Sequence, residues 1–203
     1  DETDFKGALQ IAFEHDNTLL IEKFIPGREF RIFIINDEVV GILHRVPANV
    51  TGDGVLNIGQ LIDRKNEDPL RGKGYRTPLE KIRKGREEEM FLKQQGMDFN
   101  TVPKEGEVVY LRENSNISTG GDSIDFTDDI DDSYKAIAVE AAKALNVKIT
   151  GLDMMIQDIH APATPDNYAI IEMNFNPAIH IHCYPFKGKN RHLNHKMIRA
   201  LGF

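Results

Sequence analysis

Short runs in which apolar residues alternate with polar ones predict several β-strands. The predicted strands are TLLIEKF from Thr18, REFRIFIIN from Arg28, EVVGILHRV from Glu38 and, further along, a strand from Val108. In the second of these, Phe30, Ile32 and Ile34 fall on one face, because successive side chains of a strand point to opposite faces. Asn36-Asp37 supplies the turn into the next strand, so these two strands are predicted to form a hairpin.

Helical periodicity predicts the other large elements. Residues 4–15 have the pattern of a helix end, and further helices are predicted at 57–68, 78–95, 133–145 and 190–201. In the helix at 133–145, Asp131 complements the N-terminus, and Ile137, Ala141 and Leu145 lie on the apolar stripe. Strands and helices alternate without a simple βαβ rhythm, which favours an α+β fold.

Two apolar runs near the end of the chain carry the side chains that bear most on function. Asp153 lies in ITGLDMMIQD, and Glu172 and Asn174 lie in YAIIEMNFNP. The polar link at 158–167 contains two prolines, so the runs are predicted to form a hairpin that brings the three oxygen ligands to one face. Ligands of this kind suit magnesium, whose remaining ligands are often phosphates. The alternative is a pair of surface-facing acids.

The overall charge argues against some classes of partner. The 203 residues include 25 basic and 32 acidic side chains, a net charge of −7, whereas nucleic-acid and anionic-membrane surfaces usually have a basic excess. No apolar run approaches the roughly 20 residues that span a bilayer. The single cysteine, Cys183, excludes an internal disulfide, which fits a reducing, cytoplasmic location.

The segment LIEKFIPGREFR has features of a nucleotide contact. Glu22 leads into an apolar strand end and a Pro-Gly turn, whose backbone groups can meet an adenine edge. Glu29 follows seven residues later and can accept hydrogen bonds from ribose hydroxyls. An ordinary hairpin with an exposed glutamate is the alternative.

Several segments together resemble one enzyme family. EKFIPGRE, GLDMMIQD and IIEMNFNP, in that order, resemble the ATP-grasp carboxylate–amine ligases. LHRVPANVTGDG (43–54), DRKNEDPLRGKGY (63–75) and YLRENSNISTGGDSIDFTD (110–128) resemble the glutathione synthetase domain of the bacterial bifunctional γ-glutamate–cysteine ligase/glutathione synthetases. Cyanophycin synthetases share VPANVTGDG and STGG, but NFNPAIHIHCYPFKGKNR favours the glutathione enzymes. The resemblance covers essentially all of residues 1–203.

The resemblance implies roles for particular residues. It assigns two magnesium or manganese ions to Asp153, Glu172 and Asn174, with Glu172 bridging the ions. It assigns the nucleotide to an adenine hinge and to ribose and phosphate contacts: Glu22, Lys23, Phe24 and Ile25 at the hinge, Glu29 at the ribose and Arg45 at a phosphate.

The segment from Arg112 to the Gly120-Gly121 pair resembles the R-x-N-x-x-x-G-G loop of other ligases in the superfamily, whose arginine steadies the acyl phosphate and the tetrahedral intermediate. Two extra residues separate Arg112 from Asn116, so Asn114 competes with Asn116 for the second position. The AIHIHC segment (178–183) has too few neighbouring ligands for a closed zinc site, and it either lines a peptide-substrate pocket or simply packs.

The implied function is ATP-dependent ligation of γ-glutamylcysteine and glycine to glutathione through an acyl phosphate. The implied fold is α+β, of the ATP-grasp type, with the C-terminal subdomain and the second half of the ATP-binding lobe. Residues 1–46 would be the latter part of that lobe, 47–107 a helical insertion, and 108–203 the C-terminal subdomain with the metal site. The Gly-rich loop and strand lysine of the first half do not precede Glu22, so we expect the chain to be part of a larger enzyme.

Three other interpretations stay open at this point. The chain could ligate other substrates, as cyanophycin synthetases do, or bind nucleotide without catalysing a reaction on its own. It could also be an interaction module whose helices at 57–95 dock a partner. The sequence leaves a homodimer open as well.

Overall fold

The computed structural model describes residues 2–14, 16–21 and 23–203. The helices are α1 (Glu2–Phe13), α2 (Ile58–Lys65), α3 (Arg86–Gln94), α4 (Asp132–Ala144), α5 (His180–Cys183) and α6 (Leu193–Ala200), with a 3₁₀ turn at Ile117–Thr119. The strands are β1 (Arg28–Ile35), β2 (Glu38–Val46), β3 (Asn49–Thr51), β4 (Arg71–Gly72), β5 (Leu79–Glu80), β6 (Val108–Tyr110), β7 (Asp122–Asp125), β8 (Ile149–Ile156) and β9 (Tyr168–Asn174). The mixture of helix and sheet confirms the predicted α+β class.

A five-stranded antiparallel sheet in the order β7-β2-β1-β8-β9 forms the centre of the structure. The predicted hairpin between β1 and β2 is confirmed, and it turns at Asn36-Asp37. Both turn residues have positive φ angles, 47° and 63°, as a two-residue type I′ turn requires. Asparagine and aspartate tolerate this left-handed region better than most other residues do.

Both faces of the sheet carry apolar cores. On one face, Phe30, Ile32 and Ile34 of β1 are fully buried and pack with Tyr134 and Ala138 of α4. On the other face, Phe33 of β1 packs with Cys183 of α5 and Leu193 of α6 at one end of the sheet. Because α5 and α6 cover only that end, the rest of this second face is free to carry polar side chains.

A smaller layer is built from β3, β6, α2 and α3. β3 pairs with β6, and the layer has its own apolar cluster, which includes Ile58 and Ile62 of α2 and Leu92 of α3. Asn57 and Gln60 form a capping box that satisfies donors at the start of α2. β1 and β2 share the central sheet with β8 and β9. The division at 46/47 and 107/108 stays a prediction.

Two elements differ from the prediction. The strand expected from Thr18 is not formed in residues 18–21 and 23–27, where Leu20, Ile21 and Phe24 are largely exposed. A strand needs a neighbour for its backbone hydrogen bonds, and the described residues offer none there. The helix expected at 78–95 starts only at Arg86, since residues before it form the short strand β5, which pairs with β4.

Among the described residues, none of the helices is both long enough and apolar enough to cross a bilayer.

Replacing the fully buried Ile32 by alanine is expected to lower the free energy of unfolding by about 2–5 kcal/mol, because the substitution leaves a cavity between the sheet and α4. Urea denaturation monitored by circular dichroism measures the change. Leu145→Ala is the control, since this leucine is 59% exposed. Equal effects of the two substitutions would contradict the assignment of the core.

Candidate active site

The β8–β9 hairpin brings together the three predicted oxygen ligands. Asp153 lies directly opposite Glu172, and Asn174 lies opposite Gly151, so all three belong to the same face of the sheet. The Asn174 side-chain amide donates a hydrogen bond to Glu172 Oε1 over 2.9 Å. The hairpin is therefore confirmed, and its acid and amide side chains do converge.

Asp153 is buried, and two arginines hold its carboxylate. Arg31, its partner across the strands, donates through Nε to Oδ1 and through Nη2 to Oδ2, the latter over 2.8 Å. Arg45 Nη2 also donates to Oδ2, over 2.8 Å. Burial alone would raise the pKa of Asp153, but the hydrogen bond from Arg31 and the charges of Arg45 and Arg31 outweigh it and bring the pKa below its ordinary value.

Arg31 is a site residue that the sequence analysis did not single out. Its one signal is a charged side chain between the apolar residues Phe30 and Ile32 in the middle of a strand. Gly151 makes room for it, because a Cβ atom there would lie 2.9 Å from Arg31 Cδ and 2.7 Å from Pro177 Cβ. The arginine side chain therefore lies across bare backbone of β8 on its way to Asp153.

Glu29, Arg31, Arg45 and Asp153 form a connected polar layer on this face of the sheet, and Glu29 lies at one end of it. Its carboxylate pairs with Arg45 and accepts a hydrogen bond from Ser115 Oγ. Arg45 thus links Glu29 to Asp153 and is itself only 13% exposed. Ser115 was missed by the sequence analysis, although it lies inside the loop that resembles R-x-N-x-x-x-G-G.

A cavity of about 520 Å³ opens beside this layer. Glu29, Arg45, Arg112 and Ser115 line it, and Met155 contributes apolar surface. A pocket of this size, with a few convergent polar groups, is typical of a small-molecule site. The cavity therefore brings together the predicted ribose, phosphate and acyl-phosphate contacts.

Other predicted site residues are not on the cavity wall. Lys23 and Phe24 are exposed and Ile25 is half-buried, and none of them lines the cavity. Glu22 lies outside the described residues. Asn116 is exposed and does not line the cavity either.

His182 packs below the polar layer. It is fully buried against the ring of Phe33 and next to Gly41, where a Cβ would lie 2.9 Å from its Nδ1. Burial, helped by the charge of Arg31, lowers the pKa of His182 to about 3, so its ring is neutral at physiological pH. The packing interpretation of this part of AIHIHC is the one that the structure favours.

The sequence of the chain is similar to those of a group of bacterial proteins. No protein-family model matches the chain. The glutathione biosynthesis bifunctional protein GshAB of Desulfotalea psychrophila is 63% identical over 199 residues, which are 98% of this chain and 26% of that protein. Its counterpart in Clostridium perfringens is 58% identical over 198 residues, 98% of this chain and 25% of that protein. The chain is related to one part of the bifunctional glutathione biosynthesis proteins.

A solved structure of the family has the same fold. The crystal structure of a bifunctional glutathione synthetase from Pasteurella multocida matches with a TM-score of 0.82 and 45% identity, over 99% of this chain and 28% of that chain. This match confirms the α+β class of the fold, and the ATP-grasp type stays what the resemblance implies. The chain spans about a quarter of the length of the bifunctional glutathione biosynthesis proteins that it matches.

The chemistry of the hairpin residues fits a hard cation. Within the described residues, no group of three or more histidine, cysteine, aspartate or glutamate side chains is placed to hold a metal ion, so a third ligand beside Asp153 and Glu172 would have to be an oxygen of another kind, such as the amide of Asn174. A carboxylate offers about four acceptor positions, and three positions on Asp153 are used by Arg31 and Arg45. One position on Asp153 therefore remains unused, and on the same side Glu172 is exposed and Asn174 is half-buried.

Replacing Arg31 by methionine is expected to raise the pKa of Asp153, because burial would then act without the main compensating hydrogen bond. In the wild type the folded-state pKa is below the unfolded value of about 3.9, so the stabilisation is present above that pH and is lost as the pH falls through the folded pKa. The variant should lack this stabilisation and unfold more readily at pH 7, by about 3–5 kcal/mol.

Carbon-13 NMR titration of the Asp153 carboxyl and urea denaturation at pH 7 measure the two effects. Lys135→Met is the matched control, since it removes an exposed pair with Asp132 and should leave stability nearly unchanged. An unchanged pKa of Asp153 in the Arg31 variant would contradict the assigned pairing.

Proposed function

We propose that this chain carries the ATP-dependent ligation of γ-glutamylcysteine and glycine to glutathione, as part of a longer enzyme that also joins glutamate and cysteine. The observation that carries the proposal is the 63% identity, over 98% of the chain, to a protein named for glutathione biosynthesis. The convergent polar layer supports it, because it offers cationic and oxygen ligands for a nucleotide phosphate chain on one sheet face.

The reaction needs an electrophilic carboxylate rather than a nucleophilic side chain. The γ-glutamylcysteine carboxylate attacks the γ-phosphorus of ATP, ADP leaves, and an acyl phosphate forms. The glycine amine then attacks the acyl carbon, phosphate leaves, and the amine loses a proton. Positioned cations account for most of the catalysis in phosphoryl transfer of this kind.

The residues of the polar layer have distinct roles in this proposal. Arg45 contacts a phosphate, and Arg31 holds the buried Asp153 carboxylate in a fixed orientation. Glu29 accepts hydrogen bonds from the ribose, in exchange for its present partners Arg45 and Ser115. The ion pairs that Arg31 and Arg45 make with Asp153 and Glu29 balance the charges of the layer and hold its side chains in place before the nucleotide binds.

Asp153, Glu172 and Asn174 would hold two magnesium or manganese ions, with Glu172 bridging the ions. Such ions neutralise phosphate charge when bound. The acid and amide oxygens of this set are the donors that magnesium prefers.

The remaining assignments include one residue of the cavity wall and several outside it. Arg112, which lines the cavity, would stabilise the charge of the acyl phosphate and the tetrahedral intermediate, and Asn116 of the same loop would assist it. The adenine hinge would be Glu22, Lys23, Phe24 and Ile25. Phe24 is 84% exposed, so apolar surface is available there for the adenine ring.

Each larger segment of the chain has a role in the proposed enzyme. Residues 1–46 would complete the ATP-binding lobe together with a segment outside this chain, 47–107 would be an insertion, and 108–203 the metal-binding subdomain. The substrates would be γ-glutamylcysteine and glycine, and the enzyme would be located in the cytoplasm. A homodimer stays open.

Glu172→Gln in the longer enzyme is expected to reduce ligation by at least about 100-fold at saturating γ-glutamylcysteine, glycine and ATP, because it removes a charge from the metal set. Phosphate release measures the rate. Glu140→Gln is the control, since Glu140 is an exposed residue of α4 that pairs only with Lys143 among the described residues. Near wild-type turnover of the Glu172 variant at saturating magnesium would rule out the metal assignment.

A binding measurement tests the site without catalysis. Magnesium-ADP is expected to raise the thermal unfolding temperature of the wild-type chain and to have a much smaller effect on Glu172→Gln, because ligands stabilise the state that binds them. ADP with EDTA is the control. No magnesium-dependent shift in any form would favour an interaction module over a nucleotide site.

A further inference from the structure

The loop at 112–121 is packed closely against other backbone at its glycine end. Gly120 has a φ angle of 97°, and a Cβ atom on it would lie 2.7 Å from Ile82 Cα. A Cβ atom on Gly121 would lie 2.8 Å from the carbonyl oxygen of Val46. Only glycine permits such approaches, so the Gly-Gly pair fixes the loop against β2 and against the segment between β5 and α3.

A buried arginine holds the same end of the loop. Arg71 has no exposed side-chain surface, and its Nη1 donates to the carbonyl oxygens of Gly120, over 3.0 Å, and Glu80, over 2.9 Å. Its Nη2 donates to Asp122 Oδ1, in the first residue of β7. One guanidinium thus joins the end of the loop, the start of β7 and β5.

Two further residues complete this buried cluster around Asp122. Lys65 Nζ donates to Asp122 Oδ2 over 2.7 Å, and Asn49 Nδ2 donates to the same oxygen over 3.0 Å. Lys65 also donates to the backbone and side-chain oxygens of Asn49. All three donor residues of the cluster belong to the stretch 47–107. The carboxylate that they share, Asp122, belongs to β7, which directly follows the loop at 112–121.

The other end of the loop is held by α3. Arg112 Nε donates to Glu88 Oε1 over 2.6 Å, and Nη1 pairs with Glu87. Glu88 is 1% exposed, and its second oxygen accepts the backbone N–H of Gly85 at the start of α3. The Glu88 carboxylate is therefore fixed by the helix that it caps, and it fixes Arg112 in turn.

We infer that residues 47–107 brace the loop at 112–121 at both ends, with Arg71 and Glu88 as positioning residues for the ligation reaction. The consequence for the reaction rests on the function proposed above, whereas the bracing itself does not. Residues 47–107 thus act on the reaction through the loop rather than by contact with substrate.

The contacts of Arg112 with Glu88 and Glu87 orient its guanidinium in advance of the reaction. Arg112 lines the cavity, and a flexible arginine would have to be ordered again in every catalytic cycle at the expense of its side-chain entropy. Glu88 and Glu87 leave Arg112 Nη2 without a partner among the residues that the structure describes. The guanidinium is thereby oriented in advance while some of its donors stay available.

Hydrogen exchange of the 203-residue chain tests the bracing directly. Arg71→Lys keeps the charge but loses the fork that reaches Gly120 and Asp122 together. Glu88→Gln keeps the shape but removes the charge and leaves one acceptor oxygen for two donors, Arg112 Nε and the Gly85 N–H. Each variant is expected to raise amide exchange in 112–121 by about tenfold while α4 exchanges as in the wild type.

Neighbouring residues of the same type supply matched controls. Arg64→Lys alters an exposed pair with Asp53, and Glu89→Gln alters an exposed pair with Lys93, so neither should change exchange in 112–121. Unchanged exchange of the loop in both test variants would overturn the inference, and so would equal changes in the test and control variants. Should Arg71→Lys fail to fold, Glu88→Gln alone decides the outcome.

Kinetics of the longer enzyme test the consequence for the reaction. Arg71→Lys and Glu88→Gln are expected to lower kcat for ligation by about tenfold with the KM for ATP changed by less than about twofold, since the loop acts on the intermediate rather than on nucleotide binding. A rise in KM with unchanged kcat would overturn the positioning role. A wild-type enzyme that exchanges as expected but does not ligate would refute the proposed function and leave the bracing intact.

Discussion

The polar layer depends on a carboxylate that is buried between two arginines. Asp153 lies in the sheet between Arg31 on β1 and Glu172 on β9, so one row of cross-strand neighbours contains a cation and two acids. A buried charge without a partner is costly, and Arg31 and Arg45 remove that cost only in one geometry. The register of β1, β8 and β9 and the position of the site are therefore coupled.

This coupling explains why the two sheet faces differ. The face towards α4 is apolar from Phe30 to Ile34 of β1, whereas the opposite face changes from apolar at Phe33 to charged at Arg31 and Glu29. The second face changes from apolar to charged beyond Phe33, which is the part of β1 that packs against α5 and α6. Apolar packing at one end thus supports an open, charged surface at the other.

Local patterns in the sequence predicted much of this fold. The β1–β2 hairpin, the β8–β9 hairpin and α4 each depend on residues close in the chain, and each was predicted near its observed position. The role of Arg31 could not be predicted in this way, because its partner lies 122 residues further along. The strand expected from Thr18 was wrong for a related reason, since a strand's pairing partner is not encoded in its own alternation.

The convergence of Asp153, Glu172 and Asn174 was predictable from alternation, and their function came from resemblance. The buried cluster at Asp122 was not predictable, because Lys65, Arg71 and Asn49 each look like solvated residues in their own segments. Only the fold shows that they share one carboxylate. The stretch 47–107 contains some of the most buried charges in the described part of the chain, Arg71 and Glu88.

The bare backbone at Gly151 has an evolutionary consequence. Any larger residue there would displace the Arg31 side chain, and a smaller residue at position 31 would leave Asp153 without its main partner. Neither position can change alone without a loss of fitness, so the two should covary across relatives. A lineage that abandons the arginine would remove one of the two contacts that keep position 151 a glycine, the other being Pro177, so a larger residue at 151 would require changes at both.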